Sequence, residues 1–305
     1  MNNDVIQIKN LHKSYGSTKA VADLSLKVKK GELFAFLGVN GAGKSTTISI
    51  ICGTLAKDSG SILIKGLDAD THRQEIKKSL GVVFQNSVLD KSLTVYDNLQ
   101  SRACLYGIYD KRFKERLAEL DELLDFKEIL NRPVGRLSGG QRRKIDIARA
   151  LLHEPEIVIL DEPTTGLDPQ TRTKIWSALN ALKEQKQMTI FLTTHYMEEA
   201  SDADYVVIID GGKTVAEGTP HQLKNKYTGD FIYLYDATAE EIAKLNLPHV
   251  KIGNAHRIAI NNTQQATELI TSHPEIFRDY EITKGKMDSV FLNVTGKNLT
   301  TEENK

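Results

Sequence analysis

Four residues that follow glycine-rich or apolar segments could together bind and cleave a phosphate anhydride. Lys44 ends a glycine-rich segment, Asp161 and Glu162 follow an apolar run, and His195 follows a second such run. A lysine neutralises phosphate oxygens, an aspartate at a strand end can hold Mg²⁺, and a neighbouring glutamate can polarise an attacking water. These residue types therefore predict phosphoryl transfer from a nucleoside triphosphate.

The glycine-rich segment, residues 38–45, has the form G-x-x-x-x-G-K-[ST] and is called the phosphate loop below. Its glycines let consecutive backbone N–H groups turn toward phosphate oxygens, and the helix that follows adds its positive N-terminal end. Lys44 is predicted to reach the β- and γ-phosphates, and the Ser45 hydroxyl to ligate Mg²⁺. The predicted nucleotide-binding residues of this segment are Gly38, Val39, Asn40, Gly41, Ala42, Gly43, Lys44, Ser45 and Thr46.

A second glycine motif, Leu-Ser-Gly-Gly-Gln at residues 137–141, lies between the phosphate loop and the acidic pair. Ser138, Gly139 and Gly140 precede a predicted helix over 141–152, so they form a second helix start able to bind an anion. For the phosphate loop, the alternative interpretation is a glycine turn before a helix without a ligand. The three motifs in this order resemble the ATP-binding subunit of an ABC transporter, and the resemblance covers about residues 4–225.

The resemblance implies roles for residues that spacing alone does not single out. Tyr15 stands where an aromatic ring lies against adenine, and Gln85 matches a glutamine that touches the metal site and faces the membrane subunits. His195 matches a histidine that contacts the γ-phosphate. Asp168 lies in a segment that resembles the loop crossing between two such subunits. An ordinary packing tyrosine and a polar residue at a strand end are the alternatives for Tyr15 and Gln85.

In the resembled family the glycine pentapeptide contacts ATP held by the phosphate loop of the other protomer. Ser138, Gly139, Gly140 and Gln141 are therefore expected to bind nucleotide across a head-to-tail pair, either a homodimer or two paired nucleotide-binding domains. The predicted cofactors are ATP and Mg²⁺. The predicted catalytic residues are Glu162, His195, Lys44 and Gln85, and the predicted Mg²⁺ ligands are Ser45, Gln85 and Asp161.

The segments around these residues alternate between predicted strands and helices. Residues 5–8 and 20–28 predict strands of an N-terminal antiparallel sheet, and the continuously apolar segment 33–37 predicts a strand buried on both faces. A helix over 44–55 and strands over 157–161 and 188–193 complete an α/β pattern, with a helical subdomain at about 86–153. The sequence thus predicts a mostly parallel sheet covered by helices.

The pattern changes beyond about residue 228. Strands, helices and strands follow in the order β-α-β-β-α-β, which predicts a small α+β, ferredoxin-like domain. The predicted segments are 231–235, 238–245, 249–252, 256–260, 263–272 and 279–283. We expect an ATPase domain over 4–227, a C-terminal accessory domain over 228–297 and a disordered tail over 298–305.

Composition limits the partners of this chain. The 305 residues contain 40 Lys and Arg against 40 Asp and Glu, and this balance argues against nucleic acid as a partner. No stretch has the roughly 18 apolar residues that a membrane helix needs, and the N-terminus does not resemble a signal peptide. A transport function would require separate transmembrane permease subunits, with this chain at the cytoplasmic face of the membrane.

Local sequence strings narrow the resemblance. Residues 161–169, 194–200 and 288–296 are similar to those of ABC-2 exporters, which favours drug or antimicrobial efflux. The alternative is a soluble ABC ATPase that acts on ribosomes or nucleic acid. A single phosphate loop and the absence of heptads between Lys44 and Ser138 count against it. The C-terminal domain is either a dimer-stabilising or partner-docking unit, or a small-molecule sensor.

Overall fold

The computed structural model of the protein describes residues 3–297. The first of its sheets is antiparallel, with the strand order β2-β1-β4-β5. Its strands are β1 Asp4–Tyr15, β2 Thr18–Lys29, β4 Ser59–Ile64 and β5 Leu67–Asp68. Alternate side chains such as Ile6 and Ile8 are buried. This sheet confirms the predicted N-terminal antiparallel layer.

The second sheet carries the residues predicted to do chemistry. Its strands are β3 Leu33–Leu37, β6 Leu80–Val83, β7 Ile157–Asp161, β8 Thr189–Thr194, β9 Tyr205–Asp210 and β10 Lys213–Gly218. The order is β10-β9-β3-β8-β7-β6, and only β10 runs antiparallel to its neighbour. Every residue of β3, β7 and β8 is buried, because helices and the first sheet cover both faces. The prediction of a mostly parallel α/β core is confirmed.

The helices around this sheet are α1 Lys44–Ile51, α2 Arg73–Ser79, α3 Val95–Cys104, α4 Asp110–Leu124, α5 Gly139–Leu151, α6 Pro169–Lys186, α7 Met197–Ser201 and α8 Pro220–Tyr227. Two predicted limits were wrong. Helix α1 ends before 55 because Gly53 turns the chain with a φ of 67°. Helix α5 begins at Gly139 because the Ser138 hydroxyl accepts the N–H of Gln141, whose side chain accepts the N–H of Ser138 in return.

The third sheet has the strand order β12-β13-β11-β14 and is antiparallel throughout. Its elements are β11 Asp230–Tyr235, α9 Ala239–Lys244, β12 His249–Ile252, β13 Ala255–Ile260, α10 Thr263–Ser272 and β14 Asp279–Lys284. Both helices pack on one face of this sheet, where Ile232, Leu234 and Ile258 are buried. The order and the pairing are those of the predicted ferredoxin-like fold.

A last helix, α11 Met287–Thr295, returns to the ATPase core. Val290 and Phe291 of α11 lie in the same buried cluster as Leu223 of α8. The Asn293 side chain donates a hydrogen bond of 2.7 Å to the Tyr227 carbonyl. The ferredoxin-like unit is thus inserted between two helices, α8 and α11, that pack on the core. The predicted tail over 298–305 lies outside the described residues.

Candidate nucleotide site

The phosphate loop connects β3 to α1, as a nucleotide-binding loop requires. Gly43 has a φ of 105°, and a Cβ placed on it would lie 2.3 Å from the carbonyl oxygen of Ala20. Only glycine therefore fits at this position. The Lys44 ammonium donates to the Gly38 carbonyl at 2.6 Å and to the Val39 carbonyl at 3.3 Å, so the lysine closes the loop on itself.

The Lys44 side chain is buried, and burial lowers its pKa while the carboxylates of Glu162 and Asp161 oppose that shift. Phosphate oxygens would add negative charge beside this partly desolvated ammonium. The loop therefore provides a cation whose charge is poorly compensated by the protein alone, which favours an anionic ligand.

Strand register places Asp161 beside Thr193. These residues are partners in the parallel pairing of β7 with β8. The Thr193 hydroxyl donates to the Asp161 carboxylate at 2.6 Å, and the Glu162 N–H donates to both the hydroxyl and the carbonyl of Thr193 at 3.1 Å. Sequence reasoning missed Thr193, although the threonine precedes His195 by two residues on an adjacent strand.

Three side chains converge on one carboxylate oxygen, Oε2 of Glu162. The Gln85 amide nitrogen donates to this oxygen at 3.1 Å, the Thr165 hydroxyl donates at 3.3 Å, and Nδ1 of His195 lies 3.5 Å away. Glu162 has a φ of 47°, which turns its backbone out of the strand. The hydrogen bond from His195 is the main reason that the pKa of Glu162 is lowered. The predicted residues Glu162, Gln85 and His195 therefore form one cluster.

Arg143 of α5 supports this cluster from the side of the glycine pentapeptide. Its guanidinium donates three hydrogen bonds of 2.6 Å, to the main-chain carbonyls of Phe84, Glu162 and Pro163. The side chain is buried and burial lowers its pKa, against the opposing charge of Asp146. The sequence contains a signal for Arg143, because helical spacing in α5 places this charged residue on the face that carries the buried apolar side chains.

A second buried network ties the chain after Glu162 to the chain after His195. The carboxylate of Glu199, on α7, accepts hydrogen bonds from the Thr164 hydroxyl and, at 3.1 Å, from the Trp176 indole N–H. Only 4% of Glu199 is exposed, and its other carboxylate oxygen has no hydrogen-bond partner among the described residues. The sequence alone assigns no role to Glu199, which lies in the string 194–200 that resembles ABC-2 exporters.

Tyr15, Ser138 and Asp168 lie at exposed positions and make no hydrogen bond or ion pair with the Glu162 cluster among the described residues. Tyr15 ends β1 with half of its area exposed, and Ser138 is exposed at the start of α5. Asp168 is exposed and caps α6 by accepting the Thr171 N–H at 2.9 Å, which lowers the pKa of its carboxyl. Within one chain, the structure does not bring these three residues to the Glu162 cluster.

The donors available for a metal ion are hard oxygens. Ser45 is exposed at the start of α1, and burial raises the pKa of the Asp161 carboxyl, so a nearby cation would stabilise the ionised form. Residues 3–297 contain no group of three or more His, Cys, Asp and Glu residues able to hold a metal. Mg²⁺, which accepts few protein ligands together with phosphate oxygens and water, fits this donor set.

A glycine loop before a helix, a buried lysine and an acidic pair at the carboxyl end of a parallel strand define a P-loop ATPase. Residues 21–165 match the protein-family model described as ABC transporter. The chain belongs to the ATP-binding, ATP-hydrolysing subunits of ABC transporters, since full-length relatives exceed 30% identity. Cassettes of this family pair up and work with membrane permeases.

Relatives of this chain are named for linearmycin resistance, for Nod factor export and for multidrug transport. The linearmycin resistance ATP-binding protein LnrL of Bacillus subtilis is 35% identical, over 97% of this chain and 99% of that protein. The Nod factor export ATP-binding protein I of Rhizobium etli is 32% identical, over 96% and 94%. The probable multidrug ABC transporter ATP-binding protein YbhF of Escherichia coli is 37% identical, over 74% of this chain and 39% of YbhF.

Solved structures place the fold in the same family. A dimeric post-hydrolysis state of the ATP-binding cassette MJ0796 bound to ADP and Pi has a TM-score of 0.65 and 28% identity, over 70% of this chain and 98% of that chain. An ATP-binding subunit of an ABC transporter has a TM-score of 0.68 and 30% identity, over 73% and 93%. None of the helices within residues 3–297 is long and apolar enough to cross a membrane.

Proposed function

We propose that two copies of this chain, or this chain and a second nucleotide-binding domain, hydrolyse MgATP and drive efflux through separate transmembrane permease subunits. The proposed location is the cytoplasmic face of the membrane, with no nucleic acid bound. The name of the Nod factor export protein supports export as the direction, and resistance, named for LnrL, is consistent with efflux. The observation that carries the proposal is the convergence of Gln85, Thr165 and His195 on one oxygen of Glu162.

The proposed binding mode begins at the phosphate loop. Backbone N–H groups of the loop and the start of α1 would surround the β- and γ-phosphates, and the Lys44 ammonium would exchange the Gly38 carbonyl for phosphate oxygens. Ser45, Asp161 and Gln85 would hold Mg²⁺, which neutralises charge on the phosphates. Tyr15, exposed at the end of β1, is proposed to stack on adenine.

Glu162 is proposed to polarise the water that attacks the γ-phosphate. Its lowered pKa keeps the carboxylate ionised, as a proton acceptor must be, and the bonds from Gln85 and Thr165 orient the oxygen. His195 is proposed to contact the γ-phosphate from the strand next to β7. Transfer to water then requires positioning and charge stabilisation, and no covalent intermediate is formed.

Ser138, Gly139, Gly140, Gln141 and Asp168 are proposed to act across the pair. Each lies at the start of a helix, α5 or α6, where N–H groups favour anions. Within residues 3–297 these residues make no hydrogen bond or ion pair with the Glu162 cluster, so they are proposed to complete a site only when a second cassette is present. ATP would then bridge the two cassettes, and loss of the γ-phosphate would weaken the pair.

The permease is proposed to cover the region that follows Gln85. Large apolar side chains are exposed there, which is uncommon for a protein without a partner. They are Val88, Leu93, Leu105 and Tyr109. Gln85 contacts Glu162 and is also the residue at which this region begins. A movement of the region would therefore displace a hydrogen-bond donor of Glu162.

We also propose domain limits that follow the packing. The segment 229–285 forms the accessory domain, whereas α11 belongs with the ATPase core through Val290 and Phe291. The expected extent of 228–297 combines these two parts. Removing 229–285 and joining α8 to α11 should therefore leave a folded ATPase more readily than truncation at 228.

The first test traps the pair. With Glu162→Gln, MgATP should bind but turn over very slowly. At a protein concentration at which the nucleotide-free chain is monomeric, this variant should therefore sediment as a dimer in ATP and as a monomer in ADP. Glu198→Gln is the matched control, because Glu198 is 90% exposed on α7. Failure of ATP to pair Glu162→Gln chains would overturn the shared-site proposal. Unchanged MgATP affinity in Lys44→Ala would overturn the binding mode.

The second test identifies the partner. Mild detergent extraction of the native membrane and affinity capture of this chain should recover a multi-spanning protein in stoichiometric amount. Recovery with ribosomes or nucleic acid, and without a membrane protein, would leave the ATPase in place and favour the alternative function.

A further inference from the structure

One face of the third sheet is not covered by its helices. The strand β11 alternates between Ile232 and Leu234, which are buried under α9 and α10, and three aromatic residues that point to the other face. These aromatic residues are Phe231, Tyr233 and Tyr235. We call this second face, formed by β11 to β14, the open face.

Strand register determines the neighbours of the aromatic row. Tyr233 is paired with Arg257 of β13 on one side and with Glu281 of β14 on the other. Tyr235 is paired in the same way with Ala255 and Asp279. The open face therefore carries a basic side and an acidic side, separated by aromatic rings.

The outer part of the basic side is apolar. Val250 of β12 is paired with Arg257, and Ile252 is paired with Ala255. Val250 is 55% exposed and Ile252 is 43% exposed, although both are β-branched aliphatic residues. Exposed apolar groups beside aromatic rings indicate a surface that becomes covered.

The charges on the open face lack ionic partners. Arg257 lies 4.9 Å from the centroid of the Phe231 ring, and Glu281 accepts a hydrogen bond from the Tyr235 hydroxyl. Within residues 3–297, neither Arg257, Asp279 nor Glu281 takes part in an ion pair. Two ion pairs of this unit lie away from the open face, Lys284 with Asp230 at 2.8 Å and Arg278 with Glu241 at 3.0 Å.

These features exclude a polyanionic ligand and favour a self-complementary one. Residues 229–285 contain five Lys and Arg and eight Asp and Glu, so the unit is acidic and would repel nucleic acid or an anionic membrane. A face with one basic and one acidic side instead matches a copy of itself turned by 180°.

We propose that the open face binds the open face of a second copy of this chain, around a twofold axis that runs along β11. This rotation places Arg257 of each copy over Glu281 and Asp279 of the other, and the aromatic rows meet near the axis. Sheets packed in this way bury both inner faces and keep their strands nearly aligned. The contact is distinct from ATP-dependent pairing, since no residue of the nucleotide site takes part.

The test is the self-association of the full chain without nucleotide, followed by sedimentation. The wild-type chain should form a dimer with rising concentration. R257E and E281R should each weaken that dimer by roughly tenfold or more, because like charges then face each other twice. An equimolar mixture of R257E and E281R should recover it, because both contacts of the mixed dimer join opposite charges.

K251E is the matched control, since Lys251 is exposed on β12 but points to the helix side of the sheet. It should associate like the wild-type chain. The proposal is overturned if the wild-type chain stays monomeric. It is also overturned if the mixture fails to recover association although each variant unfolds at the wild-type temperature. Loss of permease capture in R257E with unchanged self-association also overturns it. ATP-dependent pairing is measured in Glu162→Gln that also carries R257E, so that self-association through the open face is absent and the measurement tests only the nucleotide site.

Discussion

The guanidinium of Arg143 donates a hydrogen bond of 2.6 Å to the main-chain carbonyl of Glu162. Arg143 lies five residues after Ser138, so the helix that starts at the glycine pentapeptide is tied to the backbone of the proposed water-polarising residue. The same guanidinium binds the carbonyl of Phe84, immediately before Gln85. A shift of α5 would therefore move both Gln85 and Glu162 relative to the phosphate loop.

We expect Arg143→Lys to lower ATP turnover more than ATP affinity. A lysine provides one donor group in place of the planar fork that holds three carbonyls. Arg143→Ala should in addition lower the free energy of unfolding by about 3 kcal/mol, because buried carbonyls lose charged donors. Steady-state ATPase assays, nucleotide titration and urea unfolding measure these effects.

The control for Arg143 is Arg136→Ala, which removes an exposed arginine next to the same pentapeptide. It should leave turnover and the urea midpoint close to wild-type values. If Arg143→Lys and Arg136→Ala behaved alike, the link between α5 and Glu162 would have no role in turnover.

Thr193 allows a nearly isosteric test of the Asp161–Glu162 geometry. Its hydroxyl donates to Asp161 and accepts from the Glu162 N–H. Thr193→Val removes both bonds and should destabilise the fold by about 2 kcal/mol, because two buried polar groups lose a partner. It should also reduce turnover strongly, whereas Thr193→Ser should retain most of it. Equal turnover in the valine and serine variants would contradict this assignment.

The sequence alone predicted the elements whose pattern is local. The phosphate loop, the buried strands and the β-α-β-β-α-β order follow from glycine spacing and apolar periodicity. Thr193 could not be found in this way, because its contact with Asp161 depends on the register of two strands far apart in the chain. The packing of α11 on the ATPase core was missed for the same reason, since apolar periodicity does not say which core a helix joins.

Single residues of the site could also be predicted from the sequence, whereas the contacts between them could not. Glu162 was predicted from its place after an apolar strand, and Gln85 and His195 were predicted by resemblance. Their convergence on one oxygen required three chain segments to meet. Ser138 and Tyr15 remain predictions, because the partner surfaces that would complete their contacts belong to a second cassette and to the nucleotide.

Trp176 is the sole tryptophan of the chain, so its fluorescence reports on one place. Its indole N–H donates to Glu199. Glu199 also accepts from Thr164, which lies four residues before Asp168, the residue that caps the start of α6. Binding of MgATP should change the emission of Trp176 if the Glu162–Asp168 segment moves. Glu199→Gln should shift the emission without nucleotide, because the charge beside the indole is lost. An emission spectrum insensitive to both changes would contradict coupling through Glu199.

His153 is expected to make the stability of the protein depend on pH. The ring stacks on Tyr106 with 3.9 Å between centroids, and Nε2 lies 3.1 Å from the Leu80 carbonyl oxygen. Burial, together with the charges of Arg102, Arg116 and Arg149, lowers the pKa of His153 to about 4, although the hydrogen bond to Leu80 opposes the shift. The folded protein therefore holds this histidine neutral at pH 5.

Between pH 6.5 and 4 the unfolded chain binds a proton at His153 that the folded chain does not bind. The stabilisation from His153 is thus complete above pH 6.5 and is lost as the pH falls toward 4, by about 2 kcal/mol at pH 5 and about 3 kcal/mol at pH 4. His153→Phe keeps the stack on Tyr106 and should reduce the difference in urea midpoint between pH 7.5 and pH 5. His221→Ala, at an exposed histidine on α8, should keep the wild-type difference. Equal pH differences in the His153→Phe and wild-type proteins would show that the ring titrates alike in the folded and unfolded states.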